Sequence, residues 1–433
     1  MPRRHPAFRV ACNRDGMVIF ATAPPRKEAV LTKGLRMVEE NSTYREKIDQ
    51  AARLLREFDL DAWLIFVRET AMASDPSLPL IAPFELTWES AILVGAHGER
   101  VAVVGRFDAE PVRASGLFQE VIGYDAVIGP EFRSALERID PRRLAINYST
   151  SDVACDGLTH GLYLRLIQHL AGTPYVERLQ SAHQLVSALR ARKTPGEQAL
   201  LLAAAEAADE IFLHAARFVV PGATEQEIAA AMHTETMARG LETAWQRDIC
   251  PIVNTGPRSA IGHSPPSDLV VEPGHLVHID FGVRRAGYCS DQQRTWFVDG
   301  AGPPPDDVAV AFATVQTAIQ RAFEVIRPGV QGYAVDTAAR EVFEKSGLPS
   351  YQHALGHSIG RAVHDGGVLL GPRWDRYGDT PLGVVEAGMV FTLECGVPTS
   401  RGYVGLEEEI VVEDDGARWL APPQTDLWTI KGS

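Results

Sequence analysis

Two short acidic stretches carry the residue types and spacing that could do chemistry. In LVHIDFGVRRAGYCSDQQRTWFV, residues 276–298, Val277, Ile279, Phe281 and Val283 alternate with His278 and Asp280, the pattern of a strand with one apolar face. A turn centred between Arg285 and Ala286 sets Asp280 directly opposite Asp291 on the returning strand. Cross-strand neighbours have Cβ atoms about 4.5–5.5 Å apart, and like charges so placed destabilise a sheet unless a cation lies between them. In MVFTLECGVPTSRGYVGLEEEIVV, residues 389–412, Thr392 and Glu394 point away from Phe391 and Leu393, and a turn at Ser400-Arg401 sets Glu394 opposite Glu407. Either pair alone reads equally as solvated hairpin acids. Two pairs brought into one cleft call for cations, and two divalent ions about 3.5–4 Å apart can be bridged by two carboxylates and chelated by the others. A nitrogen ligand often completes such a site, and YQHALGHSIGRAVHDGG (351–367) offers His353, His357 and His364.

The elements that must position these residues follow a repeated plan. A long helix from about Glu197 ends at Pro221-Gly222, a second begins at Thr224 with Glu227 three residues on as in a capping box, and the first hairpin follows. A helix over about 306–326 then ends at Pro328-Gly329, a shorter one covers about 333–346, and the second hairpin comes at about 389–413. Equivalent elements lie roughly 110 residues apart, so a duplicated helix–helix–hairpin unit can close on a central cleft by pseudo-twofold symmetry. Chance recurrence of such elements is the alternative.

Ahead of this unit the pattern is α/β. A helix over Tyr44–Phe58 leads to a strand at Ala62–Val67, with further strands at Ala91–Val94, Val101–Val104 and Leu144–Tyr148 and a helix at about Leu158–Leu170. Lys193-Thr194-Pro195 breaks the helical pattern, which puts the domain boundary between about 180 and 195. The expected organisation is a basic extension over residues 1–36, an α/β domain over 37–185 and a catalytic domain over 190–433.

With 433 residues, 45% of them hydrophobic, the chain has enough apolar material for two cores. No apolar run nears the roughly 20 residues that span a bilayer, so no membrane partner is expected. A net charge of -14 disfavours nucleic acid, whose binding relies on basic groups. Five scattered cysteines without a CxxC pair fit a reducing cytoplasm, and residues 1–36 lack the apolar core of a secretion signal.

The motifs DFG followed by SDQQRT, HALGHSIGRAVHD, EAGMVFTLECG and GLEEEIVV resemble the creatinase/aminopeptidase P/prolidase superfamily over residues 190–425. The preceding domain resembles the amino-terminal domain of the prolidase and aminopeptidase P branches. The resemblance implies an α+β chain with a carboxy-terminal "pita-bread" domain, internally duplicated, behind a smaller α/β domain. It implies that Asp280 chelates one metal, that His357 and Glu394 bind the second, and that Asp291 and Glu407 bridge the two. Glu394 would also serve as general acid/base toward a water made acidic by the metals. His263 and His353 match substrate-pocket histidines, and His364 matches the histidine that steadies the carbonyl oxygen in the tetrahedral state. The implied cofactor is two divalent ions, manganese foremost, with cobalt or zinc as alternatives.

Related prolidases and aminopeptidases P commonly carry a Tyr four residues after the first glutamate and an Arg two before the second, where this chain has Pro398 and Gly405. The metal ligands are untouched by these changes, whereas the usual mode of holding substrate is not. The resemblance favours an Xaa-Pro dipeptidase, a homodimer acting on small proline-containing peptides. Xaa-Pro aminopeptidase is the nearest rival. A creatinase-like hydrolase working without metal and a non-catalytic binding protein on the same fold are readings of other classes.

Overall fold

The structure, a computed structural model, describes residues 33–300 and 302–431. The basic extension expected over residues 1–36 lies outside them, apart from the backbone at the start of the helix Lys33–Glu57. Residues 41–433 cluster as one compact unit.

The amino-terminal half is built on a six-stranded sheet. Ala62–Val67 pairs antiparallel with Ser90–Gly95 and parallel with Leu144–Ile146; Arg100–Gly105, Glu120–Tyr124 and Leu179–Ser181 complete it. All six residues of AWLIFV are buried, as befits a strand covered on both faces. Trp63 and Ile65 pack in one core with Leu54, Leu55 and Leu185, while Leu64 and Phe66 pack on the other face with Phe132 and Leu166.

The second sheet has seven strands, and its centre is two hairpins side by side. Its order runs Val390–Thr399, Gly402–Glu413, Gln292–Val298, Leu276–Phe281, Ile252–Thr255. The hairpins meet where Gln293 pairs with Glu407, so the two halves of the repeat lie about a seam between Gln292–Val298 and Gly402–Glu413. A helix pair backs each hairpin. Pro195–Ala215 and Glu225–Ala238 pack through Phe212, Ile211 and Met232 on Ile279, Phe281 and Trp296. Asp306–Val325 and Gly332–Ser346 pack through Val315, Ile319 and Phe343 on Phe391, Leu393 and Ile410. The expected capping box of Thr224 and Glu227 is present, and the break at Thr194 is a second one, with Glu197 as its partner.

One departure from the sequence reading concerns the sheet. In the first hairpin the turn is centred on Ala286-Gly287, both at positive φ (48° and 81°), one residue beyond the expected place. Asp280 therefore faces Gln293, and Asp291 is its diagonal neighbour. Moving the turn by one residue shifts the pairing by two, which preserves the side-chain face, so the two aspartates still share a side. The second hairpin has the expected register, with Glu394 opposite Glu407 and the turn at Ser400-Arg401.

Glu408 interrupts the apolar side of the second hairpin. It is buried there against Arg294, itself 1% exposed, whose guanidinium also reaches Asp209 at 3.0 Å and the Glu407 carbonyl at 3.0 Å. Arg294→Met is expected to lower stability by about 3–5 kcal/mol, because it strands the Glu408 carboxylate in the interior and leaves the half-buried Asp209 without its partner. Thermal unfolding checks this, and the double variant Arg294→Met/Glu408→Gln should recover a large part of the loss.

Candidate metal centre

Each expected site residue is delivered by an element already described. The central strands supply Asp280, Glu394 and Glu407, and Asp291 occupies the break in the returning strand just before Gln292. His357 comes from the short strand Gly356–His357, whose amide at His357 donates to Thr392 Oγ1 at 3.2 Å. Asp280, His357 and Glu394 line a cleft of about 1220 Å³, together with His263, His353 and His364. Asp291 and Glu407 sit deeper, at 5% and 1% exposure.

The histidine orients the cluster. His357 Nε2 lies 3.6 Å from Asp291 Oδ2, 3.7 Å from Glu394 Oε1 and 3.8 Å from Glu407 Oε1. Its Nδ1 faces the Ser358 carbonyl at 3.4 Å, so the proton belongs on Nδ1 and the Nε2 lone pair is directed at the carboxylates. Burial, reinforced by His364, pushes this imidazole down to about 3, so it is neutral and forms no ion pair with the acids.

Four carboxyl groups converge here. Burial pushes Asp280 up to about 7, and burial with the Asp280 charge pushes Glu394 up to about 8. Asp291 and Glu407 are held well above the carboxylate range, first by burial and then by one another and their acidic neighbours. Asp280 Oδ1, Asp291 Oδ1 and Glu407 Oε1 are buried oxygens with no hydrogen-bond donor among the described residues. Orphaned anionic oxygens around one unprotonated imidazole nitrogen are the donor set of a divalent-cation site. Asp291, His357 and Glu407 offer ligand atoms all within 4.8 Å of one another.

Sequence reasoning missed a polar scaffold on the same face. Gln293 donates through Nε2 to Glu394 Oε2 at 3.2 Å and to Glu407 Oε2 at 3.0 Å, and its Oε1 accepts from His278 Nε2 at 2.9 Å. His278 Nδ1 meets Asn254 Oδ1 at 3.1 Å. Burial pushes His278 down to about 4, which leaves it neutral. A neutral imidazole carries one N–H and so donates to only one of these two oxygens, since the Asn254 amide nitrogen is already committed to the Ala260 carbonyl at 2.7 Å. Strand parity already put His278 beside Asp280 and Gln293 beside Asp291. Below Asp291, the Glu409 carboxylate accepts from the Asp291 amide at 2.6 Å.

The three other histidines stand around the cleft. The His364 ring meets His357 edge-on, with centroids 4.3 Å apart. Its neighbour Asp365 is buried between Arg190 at 2.5 Å and Lys193 at 2.9 Å, so residues from the end of the amino-terminal half fix the His364 loop. His353 Nδ1 lies 2.8 Å from the Ala354 carbonyl. Ser151, Asp152, His183 and Ser187 line the cleft from the amino-terminal half. Asp152, Cys155 and His183 also lie close enough to share an ion, but each has a structural partner: Asp152 caps the Val153–Cys155 turn, Cys155 donates to Asp152, and His183 meets Ser149.

Residues 199–414 match metallopeptidase family M24. The chain is 29% identical to Xaa-Pro dipeptidase of Pyrococcus furiosus over 273 residues, covering 63% of this chain and 74% of that protein. It is 35% identical to the probable dipeptidase PepE of Mycobacterium tuberculosis over 240 residues, 54% of this chain and 60% of that protein, so this match spans less than two thirds of its length. Among solved structures, the Xaa-Pro dipeptidase from Bacillus anthracis superposes with a TM-score of 0.68 at 26% identity, covering 89% of this chain and all of the other. X-Pro aminopeptidase from Thermotoga maritima shares the fold, with a TM-score of 0.66 at 24% identity over 88% of this chain and 99% of the other.

Proposed function

This chain is an M24 metallopeptidase with the pita-bread fold, α+β in class, and from that premise we propose that it is a dinuclear-metal-dependent Xaa-Pro dipeptidase. The observation that supports this most is the buried group of Asp280, Asp291, His357, Glu394 and Glu407, with its orphaned oxygens and a lone pair directed inward. In this reading all five residues hold two divalent ions, manganese foremost, since carboxylate-rich ligation with one imidazole suits hard to intermediate ions rather than thiolate-seeking ones. Such ions supply a water of lowered pKa and polarise a carbonyl.

The chain's own groups do the rest. Glu394, at the cleft surface, takes the proton from the attacking water and passes it to the leaving nitrogen. Gln293 holds one oxygen of Glu394, and the other lies 3.7 Å from His357 Nε2. His364 donates to the carbonyl oxygen as charge develops on it, and His263 and His353 line the substrate space. His364→Ala is expected to lower kcat by on the order of 10²–10³-fold with metal content unchanged. Loss of metal in this variant would mean that His364, rather than His357, is the nitrogen ligand.

In this reading the four residues that line the cleft from the amino-terminal half bound the space for a dipeptide. The size of the cleft favours a second reading, since 1220 Å³ exceeds the roughly 300–1,000 Å³ usual for a small-ligand pocket and admits a longer peptide. Xaa-Pro dipeptides assayed beside tripeptides with the same Xaa-Pro start, after metal removal and replacement, test both. Cleavage of the tripeptide at equal or greater kcat/KM would make the protein an aminopeptidase. A homodimer in a reducing cytoplasm belongs to the same proposal. The four cysteines among the described residues are free and buried, and none of the described helices is long and apolar enough to cross a membrane.

A further inference from the structure

The two positions where this chain departs from the pattern that the superfamily resemblance implies, Pro398 and Gly405, meet at one side chain. Pro398 pairs across the hairpin with Tyr403, and Tyr403 shares the face of Gly405 and Glu407 on its own strand and of Glu394 and Gly396 on the neighbouring one. Its ring lies back over both glycines. A Cβ at Gly405 would fall 2.7 Å from Tyr403 Cε1, 2.6 Å from His278 Nε2 and 2.8 Å from Gln293 Oε1. A Cβ at Gly396 would fall 2.3 Å from the Tyr403 hydroxyl. No side chain fits at either place without displacing the phenol, so the missing Arg is a requirement of this arrangement.

The ring is also gripped from beneath. His278, fixed between Asn254 and Gln293, meets it edge-on with centroids 5.1 Å apart. The hydroxyl has no hydrogen-bond partner among the described residues, while Tyr403 lines the cleft with Glu394 and Asp280. It stands over Gly396, two residues along the strand from Glu394, a rise of about 6.7 Å. That is close to the distance from the scissile carbonyl of a dipeptide to a group hydrogen-bonded to its terminal carboxylate.

We propose that Tyr403 is a substrate-binding residue whose phenol donates a hydrogen bond to the carboxy-terminal carboxylate of the bound peptide. The assignment rests on the peptidase reading above. It replaces the side chains absent at 398 and 405 with one donor from the facing strand, and the bed for that donor is made by Gly396, Gly405 and His278.

The test compares an Xaa-Pro dipeptide with its carboxy-terminal amide in the metal-loaded wild type and in Tyr403→Phe, which keeps the ring on His278. Loss of a hydrogen bond to a carboxylate is expected to lower kcat/KM for the acid by about 10- to 100-fold, chiefly through KM. The amide should change by less than about 3-fold, with inhibition by free proline weakened in parallel and metal content and thermal midpoint unchanged. An unchanged KM for the acid, or equal losses on acid and amide, overturns the assignment while leaving the peptidase reading intact. A wild type that cleaves neither compound overturns both.

Discussion

Asp291→Asn is expected to lower kcat/KM by on the order of 10⁴-fold and to reduce the bound metal below the wild-type stoichiometry. Asp291 is buried, its Oδ1 has no donor among the described residues, and its Oδ2 lies 3.6 Å from His357 Nε2. Its neighbours Gln293 and Glu409 already bond Glu394, Glu407 and the Asp291 amide. The variant carries a second expectation of opposite sign. In the presence of a chelator at pH 8, Asp291→Asn should unfold at a higher temperature than wild type, since a buried carboxylate amid like charges has been replaced by a neutral isostere. Metal analysis, kinetics and thermal melts of one preparation check all three. Near-normal turnover at unchanged metal content would end the two-metal assignment.

Chelation of the wild type should abolish hydrolysis and make stability fall with rising pH. Asp280 and Glu394 titrate near 7 and 8 in the folded chain without cations, against ordinary values of 3.8 and 4.5. The folded state therefore binds more protons than the unfolded state between those values. The stability these groups contribute is fully present below about pH 4 and is lost as pH rises through 7 to 8. The buried histidines act oppositely. His357 and His278 are pushed down to about 3 and 4, so their contribution is present above about 6.5 and lost as pH falls toward those values. Between pH 6.5 and 8.5 only the carboxylates remain, and the metal-free midpoint should drop by on the order of 5 °C. Restoring manganese should reverse the drop, with the larger gain at the higher pH because cations take the place of protons. A metal-free protein whose midpoint is flat or rises over this window would contradict the electrostatic account of the site.

The acidic face was legible in the sequence because alternation fixes which side a residue takes, whatever the exact register. The second hairpin could be read residue by residue, since Ser400-Arg401 lies between strands of unambiguous pattern. In the first, the turn uses Ala286 at a positive φ, which an L-residue other than glycine seldom adopts, and a turn one residue earlier fitted the acids better. The scaffold behind the acids was hidden for another reason. His278, Gln293 and Asn254 come from three strands, and their shared network depends on the neighbouring strand Ile252–Thr255, whose partner the pattern alone did not identify. Arg294 and Glu408 broke the apolar alternation, and only three-dimensional pairing with Asp209 explains them. Tyr403 was on the right face all along, but its role depends on empty space above two glycines.

The seam between the two hairpins has a further consequence. Gln293 and Glu407 are the ladder pair between the two central strands, the Leu276 amide donates to the Arg401 carbonyl at 2.8 Å, and further ties are made by side chains. The Thr295 hydroxyl donates to the Gly405 carbonyl and accepts from its amide, Arg294 donates to the Glu407 carbonyl, and Glu409 accepts from the Asp291 amide. A join so made leaves each half of the repeat free to diverge. Insertions or drift in one hairpin need not drag its counterpart out of alignment, provided that those few ties persist, and the copies can acquire different substrate-facing groups while keeping a common metal floor.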